Sequence, residues 1–175
     1  AGFYNAISSA INDVRNNKII SISWGSSEIF LINTTMSLII NGKSTNVSVL
    51  DAFRSLFQTA INKGITICCA SGDDGASDGT SSLSLDFPAC IPECISCGGT
   101  SLVGQSEVTW NNNNGYGVGG GFSSYYDALP YTTNIVNKDN ILTNDTNSLL
   151  APHTLINKRS SPDISMNADP NSGWS

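Results

Sequence analysis

An apolar run that ends in an abrupt acidic turn is the feature that most constrains the fold of this chain. Residues 65–70 (ITICCA) are mainly apolar or β-branched, and residues 71–75 (SGDDG) break the run at once. Such a run between turn residues is typical of a buried strand. Because a helical pattern precedes it, we expect a parallel sheet covered by helices. Ligands of such sheets bind beyond the carboxyl ends of strands, where Asp73 lies, although Asp and Gly are also ordinary turn residues.

Two amphipathic helices are predicted, because apolar residues recur at the spacing of one helix face. The apolar positions of the first are Phe3, Ile7, Ala10, Ile11 and Val14, and those of the second are Leu50, Phe53, Phe57, Ala60 and Ile61. We expect residues 16–18 to end the first helix and Gly64 to cap the second.

Strands are expected where short apolar runs meet turn residues. They are placed at residues 19–24, 65–70, 91–97 and 162–167, with a β-hairpin inserted within 26–48 that turns near Asn41-Gly42 and a second hairpin over 100–110. The stretch 125–152 shows little pattern, and the basic pair Lys158-Arg159 is expected to be solvated.

Residues 111–121 contain four asparagines and five glycines, a composition typical of a loop. Residues 117–121 (GVGGG) would suit a phosphate cradle, but they lack the Lys and Ser/Thr of a P-loop and do not open an obvious helix. The loop is therefore the favoured interpretation.

The charge balance narrows the classes of partner. The chain has 8 Lys and Arg against 14 Asp and Glu, a net charge of −6, and no basic patch that would favour nucleic acid. No stretch of about 18 apolar residues predicts a membrane span. We expect a piece of a longer protein, because neither a signal peptide nor a terminal signature is present.

Five cysteines leave two interpretations open. Cys90, Cys94 and Cys97 have a spacing that would suit zinc, but the single histidine, His153, is distant in sequence. Buried free thiols, with or without one disulfide, are favoured over a metal site, and Cys97 is expected in a strand. Sequons at Asn33, Asn46 and Asn144 favour secretion only mildly.

Six short segments occur in the order of one known family. They are residues 20–25 (ISISWG), 71–76 (SGDDGA), 86–89 (DFPA), 97–100 (CGGT), 119–123 (GGGFS) and 162–170 (PDISMNADP). On these segments the chain resembles the sedolisin family of serine-carboxyl peptidases, its kumamolisin-like members most of all. The resemblance implies a subtilisin-like α/β fold, a parallel β-sheet with helices on both faces, of which residues 1–175 would be the central part of a single catalytic domain.

The resemblance also implies a site. Asp73 takes the oxyanion position, where subtilisins have Asn, and it must be protonated to donate a hydrogen bond. The residues expected to bind the peptide substrate are Ser23, Trp24, Gly25, Ser71, Gly72 and Asp86. The peptide would add as a strand beside Ser23 to Gly25. A carboxylate at Asp86 would favour a basic side chain, unless Asp86 only caps a turn. Asp74 is expected to be a surface turn residue.

The resemblance places other parts of the machinery outside this chain. The nucleophilic Ser and a calcium site would follow Ser175, and the Glu/Asp base pair would precede Ala1. Gly99-Thr100-Ser101 matches the Gly-Thr-Ser sequence of the family's nucleophile motif, but it directly follows a segment that the family has well before its nucleophile. The chain alone is therefore expected to be inactive, without a cofactor of its own, and to need the remaining domain and a propeptide as partners.

The resulting hypothesis is a serine-carboxyl endopeptidase that works at acidic pH, in a secreted or lysosomal-type acidic compartment. Three alternatives remain: a catalytically inactive relative kept for structure or binding, an ordinary subtilase with a Ser-His-Asp triad, and a nucleotide-binding α/β domain. Asp in place of Asn at position 73 argues against the ordinary subtilase.

Overall fold

The structure is a computed structural model that describes residues 2–130 and 157–172. Its helices are α1 (Gly2–Ile11) and α2 (Val49–Asn62), with short 3-10 helices at Glu28–Phe30 and Gly75–Ser77. The strands are β1 (Ile19–Ile22), β2 (Ser26–Ser27), β3 (Thr35–Ile40), β4 (Lys43–Ser48), β5 (Thr66–Ala70), β6 (Asp86–Phe87), β7 (Ile95–Val103), β8 (Ser106–Thr109), β9 (Gly121–Asp127), β10 (Lys158–Ser161) and β11 (Ile164–Asn167).

A mostly parallel sheet organises the described residues. Its strand order is β1-β5-β7-β11, and β8 pairs with β7 in antiparallel orientation. The four strands on the main path pair in parallel, with Ile22 beside Cys69 and Ala70 beside Cys97. The parallel register brings the carboxyl ends of β1 and β5 together beside Cys97 of β7, so that β5 ends at this edge of the sheet as the sequence predicts.

The core lies on one face of this sheet. Ile67 and Cys69 of β5 point into it and are 1% exposed, and Leu50 and Phe57 of α2 are fully buried against them. Both α1 and α2 pack on this face. The opposite face carries exposed apolar side chains such as Met166, which is 58% exposed, and within residues 2–130 and 157–172 no helix covers it.

Both predicted hairpins are confirmed. β3 pairs with β4, and the turn between them has positive φ at Asn41 (51°) and Gly42 (77°), as a type I′ turn requires. β7 pairs with β8, so that Val103 stands beside Ser106. Gly64, with a φ of 71°, follows α2 as the expected cap.

Two element boundaries and the burial of one helix residue differ from the predictions. Helix α1 ends at Ile11, and Val14 is 99% exposed because residues 13–15 fold on themselves through Asp13–Arg15 hydrogen bonds. Ile61 of α2 is 49% exposed. The strand predicted at 91–97 begins only at Ile95, since residues 88–94 form successive turns, and it then continues through two glycines to Val103.

The stretch from Tyr125, which shows little pattern in the sequence, begins within a strand. Residues 125–127 end β9, which pairs with β10, a strand 30 residues further along that only tertiary contacts reveal. Arg159 of β10 was wrongly expected to be solvated: it is 3% exposed and forms an ion pair with Asp163. Lys158 pairs with Asp127 at 2.7 Å. Residues 131–152 of the predicted stretch lie outside the described residues.

A buried carboxyl group joins β9 to the 3-10 helix. Glu28 is fully buried, and it accepts hydrogen bonds from the hydroxyl of Ser123 and from the N–H groups of Ser124 (3.2 Å) and Tyr125 (3.3 Å). Burial raises the pKa of Glu28, against the lowering effect of these hydrogen bonds. Hydrophobic periodicity did not reveal this residue, because a charged side chain is rarely expected in a core.

All five cysteines are free thiols, and Cys97 lies in β7 as predicted. Among the described residues, no group of three His, Cys, Asp or Glu side chains could hold a metal ion. His153 and the sequon at Asn144 lie outside those residues. None of the helices in the described ranges is long and apolar enough to cross a membrane.

Candidate substrate cleft at the carboxyl ends of the strands

A cavity of about 320 Å³ opens where β1 and β5 end, beside residues Cys97 to Gly99 inside β7. It is lined by Ser23, Trp24, Gly25, Ala70, Ser71, Gly72, Asp73, Asp86, Cys97, Gly98, Gly99, Trp110 and Ala168. A larger cavity of about 430 Å³ lies at the other ends of β5 and β7, around Ile65 and Ile95. We place the candidate site in the smaller cavity, because Asp73 and Asp86 line it and because it lies at the ligand-binding edge of a parallel sheet.

Asp73 is presented to this cavity by a turn that begins as β5 ends. Ser71 still continues the sheet, since its N–H donates to the carbonyl of Cys97 at 2.9 Å. Gly72, with a φ of 97°, then reverses the chain in a conformation that side-chain-bearing residues rarely adopt. Asp73 follows with an exposed carboxyl group. The sequence therefore places Asp73 correctly at a strand end.

The glycine-rich segment, residues 117–121, is hydrogen-bonded to the turn that carries Asp73. The N–H of Gly119 donates to the carbonyl of Gly72 at 2.9 Å, and the N–H of Gly117 donates to that of Asp73 at 2.8 Å. A Cβ atom at Gly119 would overlap the carbonyl oxygen of Ser71, so only glycine fits there. These N–H groups are already used, which contradicts the phosphate-cradle alternative.

Asp86 reaches the cavity from a different part of the chain. β6 pairs with β2, with Asp86 beside Ser27, and this short ladder lays the carboxyl group of Asp86 against the backbone of Gly25. Burial raises the pKa of Asp86 to about 7, and the negative charge of Asp78 adds to the rise. Asp86 is thus part of a cavity wall as well as of a turn.

The remaining predicted residues also gather at the cavity. Trp24 is 57% exposed and packs against Phe3 of α1, with ring centroids 4.4 Å apart and the rings tilted by 56°. Ser23 beside it is exposed. Ser71 is 2% exposed, and its hydroxyl oxygen has no hydrogen-bond partner. Asp74 is exposed, as expected.

Sequence reasoning did not find the far wall of the cavity. Trp110 and Ala168 lie there, each close to Gly99, where an added Cβ atom would stand 3.4 Å from Trp110 and 3.0 Å from Ala168. Trp110 ends the predicted hairpin and Ala168 follows the last strand, so their neighbourhood depends on the pairing of β11 with β7. Ser101, by contrast, is 6% exposed inside β7, which fits the expectation that it is not a nucleophile.

Comparison with known proteins identifies the class to which this fold and cavity belong. The profile of the subtilase family matches residues 3–175. The chain therefore belongs to the subtilase family.

Within that family the chain is sedolisin-like. Kumamolisin from Bacillus sp. (strain MN-32) is 32% identical over 183 residues, which cover 99% of this chain and 29% of that protein. Pseudomonas sedolisin, a serine-carboxyl proteinase whose structure was solved with two molecules of pseudo-iodotyrostatin, superimposes with a TM-score of 0.72 at 26% identity. That match covers 98% of this chain and 43% of sedolisin. The chain thus spans less than half the length of these two relatives.

Proposed function

We propose that this chain supplies the oxyanion donor and the specificity wall of a serine-carboxyl endopeptidase that hydrolyses peptide bonds at acidic pH. The observation that carries the proposal is the position of Asp73 at the carboxyl end of β5, on the same cavity as Asp86. The resemblance to Pseudomonas sedolisin, a serine-carboxyl proteinase, supports the reaction class.

The chemistry of Asp73 follows from the charge that develops during peptide hydrolysis. Attack on the peptide carbonyl makes its oxygen negative, and a preorganised donor at that oxygen lowers the barrier by about 3–4 kcal/mol. A protonated carboxyl group can donate this hydrogen bond, whereas a carboxylate would repel the oxygen. An enzyme with Asp73 in this role therefore works best in acid.

Asp86 would select the substrate side chain that enters the cavity. Its carboxyl group lies against Gly25, and when ionised it attracts a guanidinium or ammonium group. Ser23, Trp24 and Gly25 lie on the same cavity at the end of β1, where an extended peptide could add to the edge of the sheet.

The nucleophile and its Glu/Asp base would come from other segments of the full-length protein, which are proposed partners of this chain together with a propeptide. Calcium, which the resemblance implies, finds no suitable ligand group among the described residues, so no step here uses it. We propose a secreted or lysosomal-type acidic location, because protonated Asp73 is active there.

The test is peptide cleavage by the full-length protein at about pH 4, near the ordinary pKa values of carboxyl groups. Purified protein is incubated with a mixed peptide library, with and without pseudo-iodotyrostatin, and the products are identified by mass spectrometry. The 175-residue chain alone serves as the matched control and should cleave nothing. Cleavage that pseudo-iodotyrostatin suppresses supports the proposal. A full-length protein that binds pseudo-iodotyrostatin without cleaving any peptide would instead be the catalytically inactive relative.

A further inference from the structure

A second carboxyl group lies behind Asp86. Asp78 follows the 3-10 helix that leaves the Asp73 turn, in a left-handed conformation with a φ of 49°. Oδ1 of Asp78 and Oδ2 of Asp86 both lie close to Gly72, at 3.2 and 3.0 Å from the position that a Cβ atom would take there. The end of the 3-10 helix and strand β6 thus bring two carboxyl groups together across one glycine.

The other oxygen of each carboxyl group, and the hydroxyl oxygen of the neighbouring Ser71, have no hydrogen-bond partner. Oδ2 of Asp78, Oδ1 of Asp86 and the hydroxyl oxygen of Ser71 are all buried without a hydrogen-bond partner, and Ser71 is 2% exposed. Of these three residues, Ser71 and Asp86 line the cavity and Asp78 lies behind it. Their unused oxygens require a donor, which is either a proton held by the carboxyl groups or the N–H groups of a ligand. Ser71 provides the second sign of a ligand, since it lines the cavity itself.

The groups around the two carboxyl groups do little to neutralise their negative charge. Asp73 and Asp74 face both from the turn after β5, and the Cys90 thiol faces Asp86 from the turn after β6. From β2, the backbone of Ser26 lowers the pKa of Asp86 and the side chain of Ser27 lowers that of Asp78, but burial outweighs both effects. The charged groups that act most strongly on the pair are therefore all acidic.

We propose that Asp78 and Asp86 form a carboxyl pair that is fully protonated in acid and shares one proton at intermediate pH, and that Asp78 sets the pH at which Asp86 becomes a carboxylate and the cavity begins to prefer a cationic side chain. The inference rests on the proposed function, since it concerns the selectivity of the same cavity. Asp78 is a positioning residue here: it does not line the cavity, and it acts through the charge of Asp86.

The direction of the pKa changes agrees with this geometry. Burial raises the pKa of Asp78 to about 6, with further rises from Asp74 and Asp73. Burial raises that of Asp86 to about 7, and Asp78 is the strongest charge acting on it. Two carboxyl groups this close titrate as a pair, so that losing one proton opposes the loss of the next.

The consequence is a cavity whose chemistry changes with pH. In acid the pair is protonated, and the cavity accepts neutral side chains. As the pH rises, Asp86 ionises, and an arginine side chain can then donate to the acceptors that have no other donor. Removing the charge of Asp78 should allow Asp86 to ionise at lower pH, which moves this change without abolishing it.

The experiment compares two peptides that differ only at the residue entering the cavity, arginine or its neutral isostere citrulline. The ratio of their kcat/KM values is measured across the pH range with the full-length protein, so that the pH dependence of the chemical step cancels. Asp78→Asn is the main variant, because asparagine tolerates the left-handed conformation. Asp78→Gly is a second variant that fits the same φ. Asp13→Asn is the matched control, which removes one negative charge outside the cavity.

The arginine preference of the unmodified protein should rise about tenfold or more as Asp86 ionises. In Asp78→Asn and Asp78→Gly the midpoint of that rise should move about one pH unit lower, while Asp13→Asn leaves it in place. A midpoint that does not move in either Asp78 variant would overturn the inference.

A second readout separates this inference from the proposed function. The Asp86 carboxyl carbon is followed by NMR in full-length protein labelled at aspartate, with Asp86→Asn identifying its signal. A midpoint that is lower in Asp78→Asn than in unmodified protein supports the carboxyl pair, even if neither peptide is cleaved and the proposed function fails. Equal midpoints refute the pair, whatever the cleavage assay gives.

Discussion

The carboxylate of Asp86 occupies the space beside Gly25 that a Cβ atom would need. The two residues stand 61 positions apart in sequence and meet through the pairing of β2 with β6. The obstruction at Gly25 is the end of a side chain, whereas the obstruction at Gly119 is the backbone oxygen of Ser71. The two glycines therefore predict different consequences when each is replaced by alanine.

Gly25→Ala should displace the Asp86 carboxyl group and leave the fold largely intact. We expect the preference for arginine over citrulline, measured as a ratio of kcat/KM above about pH 7, to fall severalfold, because the carboxylate no longer faces the cavity. The free energy of unfolding should change by less than about 1.5 kcal/mol. A variant with the selectivity of the unmodified protein would show that the position of Asp86 does not set selectivity.

Gly119→Ala should destabilise the protein itself. A Cβ atom there meets backbone that cannot rotate away, and the hydrogen bond from Gly119 to Gly72 would be strained with it. We expect a loss of about 2 kcal/mol or more in the free energy of unfolding, measured by denaturant titration of the full-length protein. Gly2→Ala is the control, because no atom lies within 4 Å of its added Cβ. Equal stability of both variants would contradict the close packing.

Stability should fall as the pH rises from about 4 to about 7. The pKa of Asp86 is raised to about 7 from 3.8, so the folded protein keeps a proton that the unfolded chain has already lost. The unfolded state then binds fewer protons, which makes unfolding easier as the pH rises through this window. Asp127, whose pKa is lowered, titrates below the window.

Asp86→Asn should flatten this slope, because an amide does not titrate. The measurement is the free energy of unfolding of the unmodified protein and of Asp86→Asn at several pH values between about 4 and about 7. The account is contradicted if the unmodified protein gains stability over the window, or if the slopes of the two proteins are the same.

Local sequence signals predicted the parts of the cleft that local geometry determines. The apolar run of β5 and the turn chemistry of Gly72 place Asp73 at a strand end, and Asn41-Gly42 specifies its hairpin through two positive φ angles. In each case the residues that determine the conformation are neighbours in sequence, so composition and spacing were sufficient.

Features that depend on distant pairing could not be predicted in this way. β9 pairs with β10 across 30 residues, and the buried Arg159 of β10 reaches Asp163 and the carbonyl of Cys94, which is 65 positions away in sequence. Asp78 lies in a Ser/Gly-rich stretch, residues 77–85, and its approach to Asp86 follows only from the fold. A lone acidic residue in such a loop looks like any other turn residue until its neighbours are known.

The central claim is that Asp73 acts as a hydrogen-bond donor, and pH–rate profiles of Asp73→Asn and Asp73→Ala in the full-length protein test it most directly. Asp73→Ala removes the donor and should lower kcat about 10²–10³-fold with little change in KM. Asp73→Asn keeps a neutral donor, so it should lose less and retain its activity to higher pH than the unmodified protein. Asp74→Asn, one residue away on the exposed side of the turn, is the matched control. The account is contradicted if Asp73→Asn and Asp73→Ala are equally impaired at every pH, or if neither is impaired.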